Sequence, residues 1–211
     1  MSSTAQDRAY ASIKERIINF DLKPGQELRA DALAKQIGVS RTPIREALSR
    51  LQQEGLVTRQ SGWGYAVRAL SPPEIGDLFK LREVLEVMAI EEAIPHINDK
   101  QLKAMENALA KCERLLALKK LSEFRKELRD FHMTIANATH NYFLEQILRM
   151  INDRVRQVAT LQFDRHAERP TEVIKENQRI LAALRKRDAT AARAAILVHL
   201  RNAKRIFAIL E

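Results

Sequence analysis

Ser40, Arg41, Thr42 and Arg45 stand close together at the head of a leucine ladder, in the stretch GVSRTPIREALSRLQQEGLV (residues 38–57). Guanidinium groups grip phosphate oxygens and guanine edges through paired hydrogen bonds, and hydroxyls add single contacts to phosphate. No nucleophile here is matched to a base, and no carboxylate faces a second one. The chemistry on offer is recognition of an anion or a base edge, not bond cleavage.

Such residues need an element that presents them together. With Ser40 as N-cap, its hydroxyl can accept from the first free amides of a helix. Pro43 then falls in the first turn, where a missing N–H does no harm. Ile44, Ala47, Leu48 and Leu51 form the i, i+3, i+4, i+7 stripe that packs inward, which leaves Arg41, Arg45 and Ser49 on the outer side with Thr42 beside them. The helix N-terminus, the hydroxyls and the arginines together suit phosphate and major-groove contacts. Taken alone, the same helix also reads as a solvated one whose arginines pair with Glu46 or Glu54. The neighbouring sequence favours the first reading. A helix over residues 6–20 carries Ala9, Ile13, Ile17 and Phe20. A second, RADALAKQI, turns Leu33, Ala34 and Ile37 inward and stops at Gly38. After Gly55, LVTRQSGWGYAVRAL alternates around Gly62 and Gly64 as a small hairpin with Arg59, Trp63 and Arg68. This is the layout of a winged helix-turn-helix.

Bulk properties agree with an anionic partner: 36 basic against 27 acidic side chains give a net charge of +9. The single cysteine, Cys112, excludes an intrachain disulfide, and its helical spacing with Met105, Leu109 and Leu116 predicts a core position. No signal-like or membrane-length apolar run is evident, so a cytoplasmic location is expected. An enzyme is not: the chain has no glycine-rich phosphate loop and no HExxH.

All six glycines lie at or before Gly76. That shift and the ALSPPEIGD stretch, where Ser71 can cap a helix, predict a winged-helix domain over 1–70 and a second domain over 71–211. The second part reads as six helices near 74–94, 98–118, 121–138, 142–163, 169–186 and 189–209, which call for an all-helical antiparallel bundle. The arginines from Arg149 to Arg169 read as a solvated face. The fold class is mainly α.

GVSRTPIREALSRLQQEGLV followed by SGWGYAV resembles the DNA-binding domain of the GntR family of transcription regulators. LFKLREVLEVMAIEEA (78–93), FHMTIANATHN (131–141) and the last helix resemble its FadR subfamily, whose effector domain is the helical FCD bundle, here in the six-helix, VanR-like form. The similarity spans residues 8–208. It implies DNA contacts from Ser40, Arg41, Thr42 and Arg45, with the wing tip at Gly62; Ser49 on the outer helix face and Arg59 on the hairpin are candidates by position. The chain departs from the pattern at Asp31, where the family often has arginine, so Arg29 is a candidate replacement contact. It departs again at Trp63, where a basic residue is usual, and Trp63 is expected to cover the hairpin or the domain junction.

In many FCD domains one aspartate and three histidines hold zinc, nickel or manganese. Here His132 and His199 match two of those positions, but Leu128 and Asn177 occupy the others, and Asp130 lies on another part of the helix. The resemblance therefore implies a pocket with weak metal binding or none, in which His132, Asn177 and His199 bind a small organic acid. Arg82 is a candidate carboxylate anchor, or else an i, i+4 partner of Glu86. The expected protein is a homodimeric repressor on a palindromic operator in double-stranded DNA, controlled by that acid. The alternative is an effector-independent architectural DNA-binding protein whose bundle only dimerises.

Overall fold

The computed structural model describes residues 4–60 and 64–208, with side chains throughout except at 157–165 and 206–208. The chain divides into two compact units, Met1–Leu70 and Ser71–Glu211.

In the first unit, helix α1 (Ala5–Ile18) opens on a reciprocal cap in which the Thr4 hydroxyl accepts from the Asp7 amide at 3.0 Å and the Asp7 carboxylate accepts from the Thr4 hydroxyl at 2.7 Å. Strand β1 (Glu27–Leu28), helix α2 (Ala30–Ile37), helix α3 (Arg41–Gln53) and strands β2 (Val57–Arg59) and β3 (Tyr65–Val67) follow. Gly38 ends α2 at φ 74°, a left-handed conformation that a side chain would strain, and so creates the sharp turn between α2 and α3. The apolar stripes meet in one core of Ala9, Ile13, Ile17, Leu33, Ile44 and Leu48, all buried.

The sheet has the order β1-β3-β2, antiparallel throughout, with Leu28 opposite Tyr65 and Val57 opposite Val67. The sequence reading contained the β2–β3 hairpin but not β1. A two-residue strand has no period to detect, and only its antiparallel pairing with β3 reveals it. One further detail differs. Ser40 is the N-cap of α3, but its side chain makes no capping hydrogen bond.

The second unit consists, among the described residues, of six helices: α4 (Pro72–Ala93), α5 (Asp99–Ala117), α6 (Leu121–Ala138), α7 (Tyr142–Arg165), α8 (Arg169–Arg185) and α9 (Ala189–Ala208). The Glu74 carboxylate accepts from the Ser71 amide at 2.8 Å and fixes the start of α4. Three-residue turns join α5 to α6, α6 to α7 and α8 to α9, and turns that short make successive helices antiparallel. This half of the chain has no glycine after Gly76, so Lys119, His140 and Arg187 take the left-handed conformation at those turns, at φ 56°, 55° and 52°. Ile90, Met105, Phe131, Ile180 and Ile196 form the centre of the core. Cys112 is buried beside Phe124, and burial pushes its thiol up to about 12.

Candidate nucleic-acid interface and interior cavity

The first turn of α3 is open to solvent. Ser40, Arg41, Thr42, Arg45 and Ser49 are all exposed, while Ile44, Ala47, Leu48 and Leu51 anchor the opposite face. The helix therefore presents its free amides and two guanidinium groups on one side. Arg41 is not idle: its Nε lies 2.5 Å from Asp31 Oδ1 on α2. Asp31, legible in the sequence only as a departure, is the pairing partner of a candidate interface arginine. Arg29 is exposed at the start of α2 and pairs loosely with Glu27 at 3.4 Å. Arg59 is exposed on β2. Gly62 and Trp63 lie outside the described residues.

Deeper chemistry is gathered inside the bundle. His132 on α6 and His199 on α9 face each other with ring centroids 5.0 Å apart. His132 Nδ1 is 3.0 Å from Glu86 Oε2, and His199 Nδ1 is 2.8 Å from Glu176 Oε2. Arg82 Nε donates to Glu86 Oε1, so the i, i+4 pair exists and is buried. Arg169 clasps Glu176 with both Nη atoms, at 2.7 and 2.9 Å, and Asn202 adds a third hydrogen bond at 2.8 Å.

Electrostatics follow from these contacts. Burial pushes the Glu86 carboxyl up, but Arg82 and His132 more than offset it and hold the group well below the carboxylate range. Glu176 is likewise lowered to about 2, as hydrogen bonds from His199 and Arg169 outweigh burial. Burial depresses His199 to about 4, opposed by Glu176 and reinforced by His132 and Arg82. At neutral pH the His199 ring is therefore uncharged, and its Nδ1–H donates to an ionised Glu176.

Beside the histidines lies a cavity of about 70 Å³. Arg82, Arg125, Arg129, Arg156 and Arg169 line it together with the two rings and Asn152. Phe79, Leu128, Val155 and Val173 form its apolar wall. No carboxylate lines it among the described residues. On the outer side, Arg169 also borders an open cleft of about 670 Å³ with Lys175, Arg179 and Arg205.

The structure thus brings His132, His199 and Arg82 together. Asn177 is fully buried, does not line the cavity, and among the described residues has no hydrogen-bond partner for either amide atom. Its neighbour Glu176 makes the contact to His199 instead. The solvated-face reading of Arg149 to Arg169 is corrected at two positions: Arg149 is exposed, but Arg156 and Arg169 are buried and line the cavity. Arg125, Arg129, Asn152 and Glu176 were also missed. The available signal was spacing: Arg125, Arg129 and His132 repeat at i, i+4, i+7 along one face of α6.

A metal does not fit these donors. Among the described residues no group of three histidine, cysteine or carboxylate side chains is placed to hold one. Leu128 brings only hydrocarbon, both histidines direct Nδ1 at glutamates, and a guanidinium-lined wall repels a cation.

A winged helix with an exposed basic first turn on its third helix, in one chain with an all-helical bundle, is the layout of a DNA-binding transcription regulator. Comparison with known proteins identifies its kind. Residues 5–67 match the family of bacterial regulatory proteins, gntR family, and residues 77–202 match the FCD domain. The HTH-type transcriptional regulator YdhC of Bacillus subtilis is 30% identical over 195 residues, covering 90% of this chain and 85% of that one. The HTH-type transcriptional repressor GlaR of Escherichia coli is 31% identical over 157 residues, covering 72% and 71%. In fold, E. coli McbR/YncC superposes with a TM-score of 0.89 at 21% identity, covering 100% of this chain and 99% of that one. The chain belongs to the GntR family of transcription regulators with an FCD domain. Its winged helix-turn-helix is a DNA-binding module, and the FCD domain is of the kind that takes small-molecule effectors.

Proposed function

We propose that this protein is a homodimeric repressor whose operator affinity is set by a small organic acid in the FCD cavity. The observation that carries the reading is the guanidinium-lined cavity beside His132 and His199, in the same chain as a recognition helix with an exposed basic first turn. Arg41, Thr42, Arg45 and Ser49 would enter the major groove, with Ser40 and the α3 amides at a phosphate, Arg59 at the wing, and Arg29 beside the backbone. The E. coli relative GlaR is named a repressor, which supports that sign of control.

Dimerisation is supported by an apolar face that the bundle leaves uncovered. Leu81, Val84 and Met88 repeat at i, i+3, i+7 on α4 and are 49%, 66% and 40% exposed. Phe143, Ile147 and Met150 are exposed on α7, which packs against α4. Two copies joined there by a two-fold axis would require a palindromic operator.

The test begins with an operator selected from random DNA. Arg45→Ala should cost roughly 1–3 kcal/mol of specific binding. Equal losses on operator and random DNA would reduce Arg45 to a phosphate contact. A panel of organic acids should shift operator affinity, and no shift from any of them would favour the architectural alternative.

A further inference from the structure

We propose that Asp31 is a positioning residue for DNA reading: it holds the Arg41 guanidinium as the reader of a guanine and withdraws it from phosphate. The inference rests on the reading that α3 enters the major groove. It assigns the specificity of that helix in part to a residue of α2 that makes no base contact of its own.

The contact joins the starts of two helices. Asp31 is the second residue of α2 and Arg41 the first of α3, with the left-handed turn at Gly38 between them. Asp31 Oδ1 stands 2.5 Å from Arg41 Nε, and neither Nη atom of Arg41 has a partner among the described residues. The two side chains are 59% and 68% exposed, and neither residue belongs to the apolar core of the unit. An ion pair that open to water adds little to stability. Its effect falls on the arginine instead.

Guanidinium chemistry says what that effect is. The group carries five N–H donors in one plane, one on Nε and two on each Nη. A carboxylate at Nε takes the stem side of this fork and leaves the Nη1–Nη2 edge, which matches the O6 and N7 acceptors of guanine. The held side chain also gives up part of its rotamer freedom before DNA arrives, so less is lost on binding. Charge acts in the same direction. Attraction to phosphate is Coulombic, and the aspartate–arginine pair is neutral as a unit. A base edge is itself uncharged and needs donors in the right place rather than net charge. Asp31 therefore weakens the hold of Arg41 on the backbone and keeps its hold on a base.

The experiment uses the full chain, an operator selected from random DNA by the wild type, and fluorescence anisotropy. In Asp31→Asn the ratio of operator to random affinity should fall about ten-fold, within the range that one bidentate base contact supplies, at an unchanged melting temperature. Asp31→Glu keeps the carboxylate and should lose less. Selection repeated with Asp31→Asn should relax a guanine preference at the position that Arg41→Ala also relaxes. In the Arg41→Ala background, Asp31→Asn should alter no base preference, because no arginine is left to position. The proposal is overturned if Asp31→Asn leaves the selected sequence unchanged, shifts operator and random affinity equally, or alters base preference without Arg41. A preference at that position for a base other than guanine overturns it as well. Arg41→Ala and Arg45→Ala that both keep wild-type operator affinity would refute the underlying reading of α3, and the proposal with it.

Discussion

His199 makes the stability of the FCD unit depend on pH in a window where few other groups titrate. In the folded protein its imidazole is depressed to about 4, against an ordinary value of about 6.5 in the unfolded chain. Below 6.5 the unfolded chain takes up a proton that the folded one refuses, so stability is full above that value and falls as pH drops toward 4. Integrating between the two values gives a loss of roughly 2 kcal/mol from pH 7 to pH 5 for this group. Ordinary carboxylates remain ionised over that range, so the effect is not masked. His199→Asn keeps an N–H donor for Glu176 and removes the titration. Urea unfolding of both proteins at pH 7 and pH 5, followed by far-ultraviolet circular dichroism, should show the wild type losing roughly 2 kcal/mol more than the variant. A direct check is the proton NMR titration of the wild-type His199 ring. Equal losses in the two proteins, or a ring that titrates near 6.5, would refute the reasoning.

Other outcomes follow from single contacts. Asp31→Asn frees Arg41 from its partner and removes a negative charge from the proposed DNA-facing side, so binding to random DNA should tighten several-fold. The dependence of log K on log salt should steepen by about 1, measured by fluorescence anisotropy, and an unchanged slope would mean Arg41 meets no phosphate. Val84→Glu places a charge on the uncovered α4 face, and analytical ultracentrifugation should find the proposed dimer for the wild type and monomer for the variant. The same mass for both proteins would move the dimer interface elsewhere. Arg187 is left-handed and also donates to the Ile94 and Ile97 carbonyls. Arg187→Ala should therefore destabilise the bundle by roughly 1 kcal/mol more than Arg187→Gly, since glycine loses the contacts but relieves the backbone. Equal melting temperatures for the two would discount the backbone share.

Periodicity explains what could be read from the chain beforehand. The α3 stripe of Ile44, Ala47, Leu48 and Leu51 is apolar at every inward position, so its outer face followed directly. The six bundle helices lie within two residues of expectation at each end because breakers such as Pro95 and polar turns interrupt strong apolar repeats. The cavity was harder. A buried arginine is spelled like a solvated one, and only the packing of α4, α6 and α8 around Arg82, Arg125 and Arg169 separates the two cases. Asn177 was singled out by a family position, whereas the contact to His199 belongs to Glu176, one residue earlier and about 100° around the helix. Asp31 and Arg41 lie on different helices, ten positions apart, so no helical spacing rule links them.

The bare start of α3 has a consequence for how affinity is apportioned. Without a capping bond from Ser40, the free protein leaves the first amides of its recognition helix to water. A side-chain cap is worth about 1 kcal/mol, and a phosphate oxygen seated at those amides would supply the equivalent from outside. The nucleic acid then acts as the missing residue of the helix. Occupied and empty proteins would then differ in how firmly α3 is begun, and amide exchange at Thr42 and Ile44 should slow on the operator before any base is read.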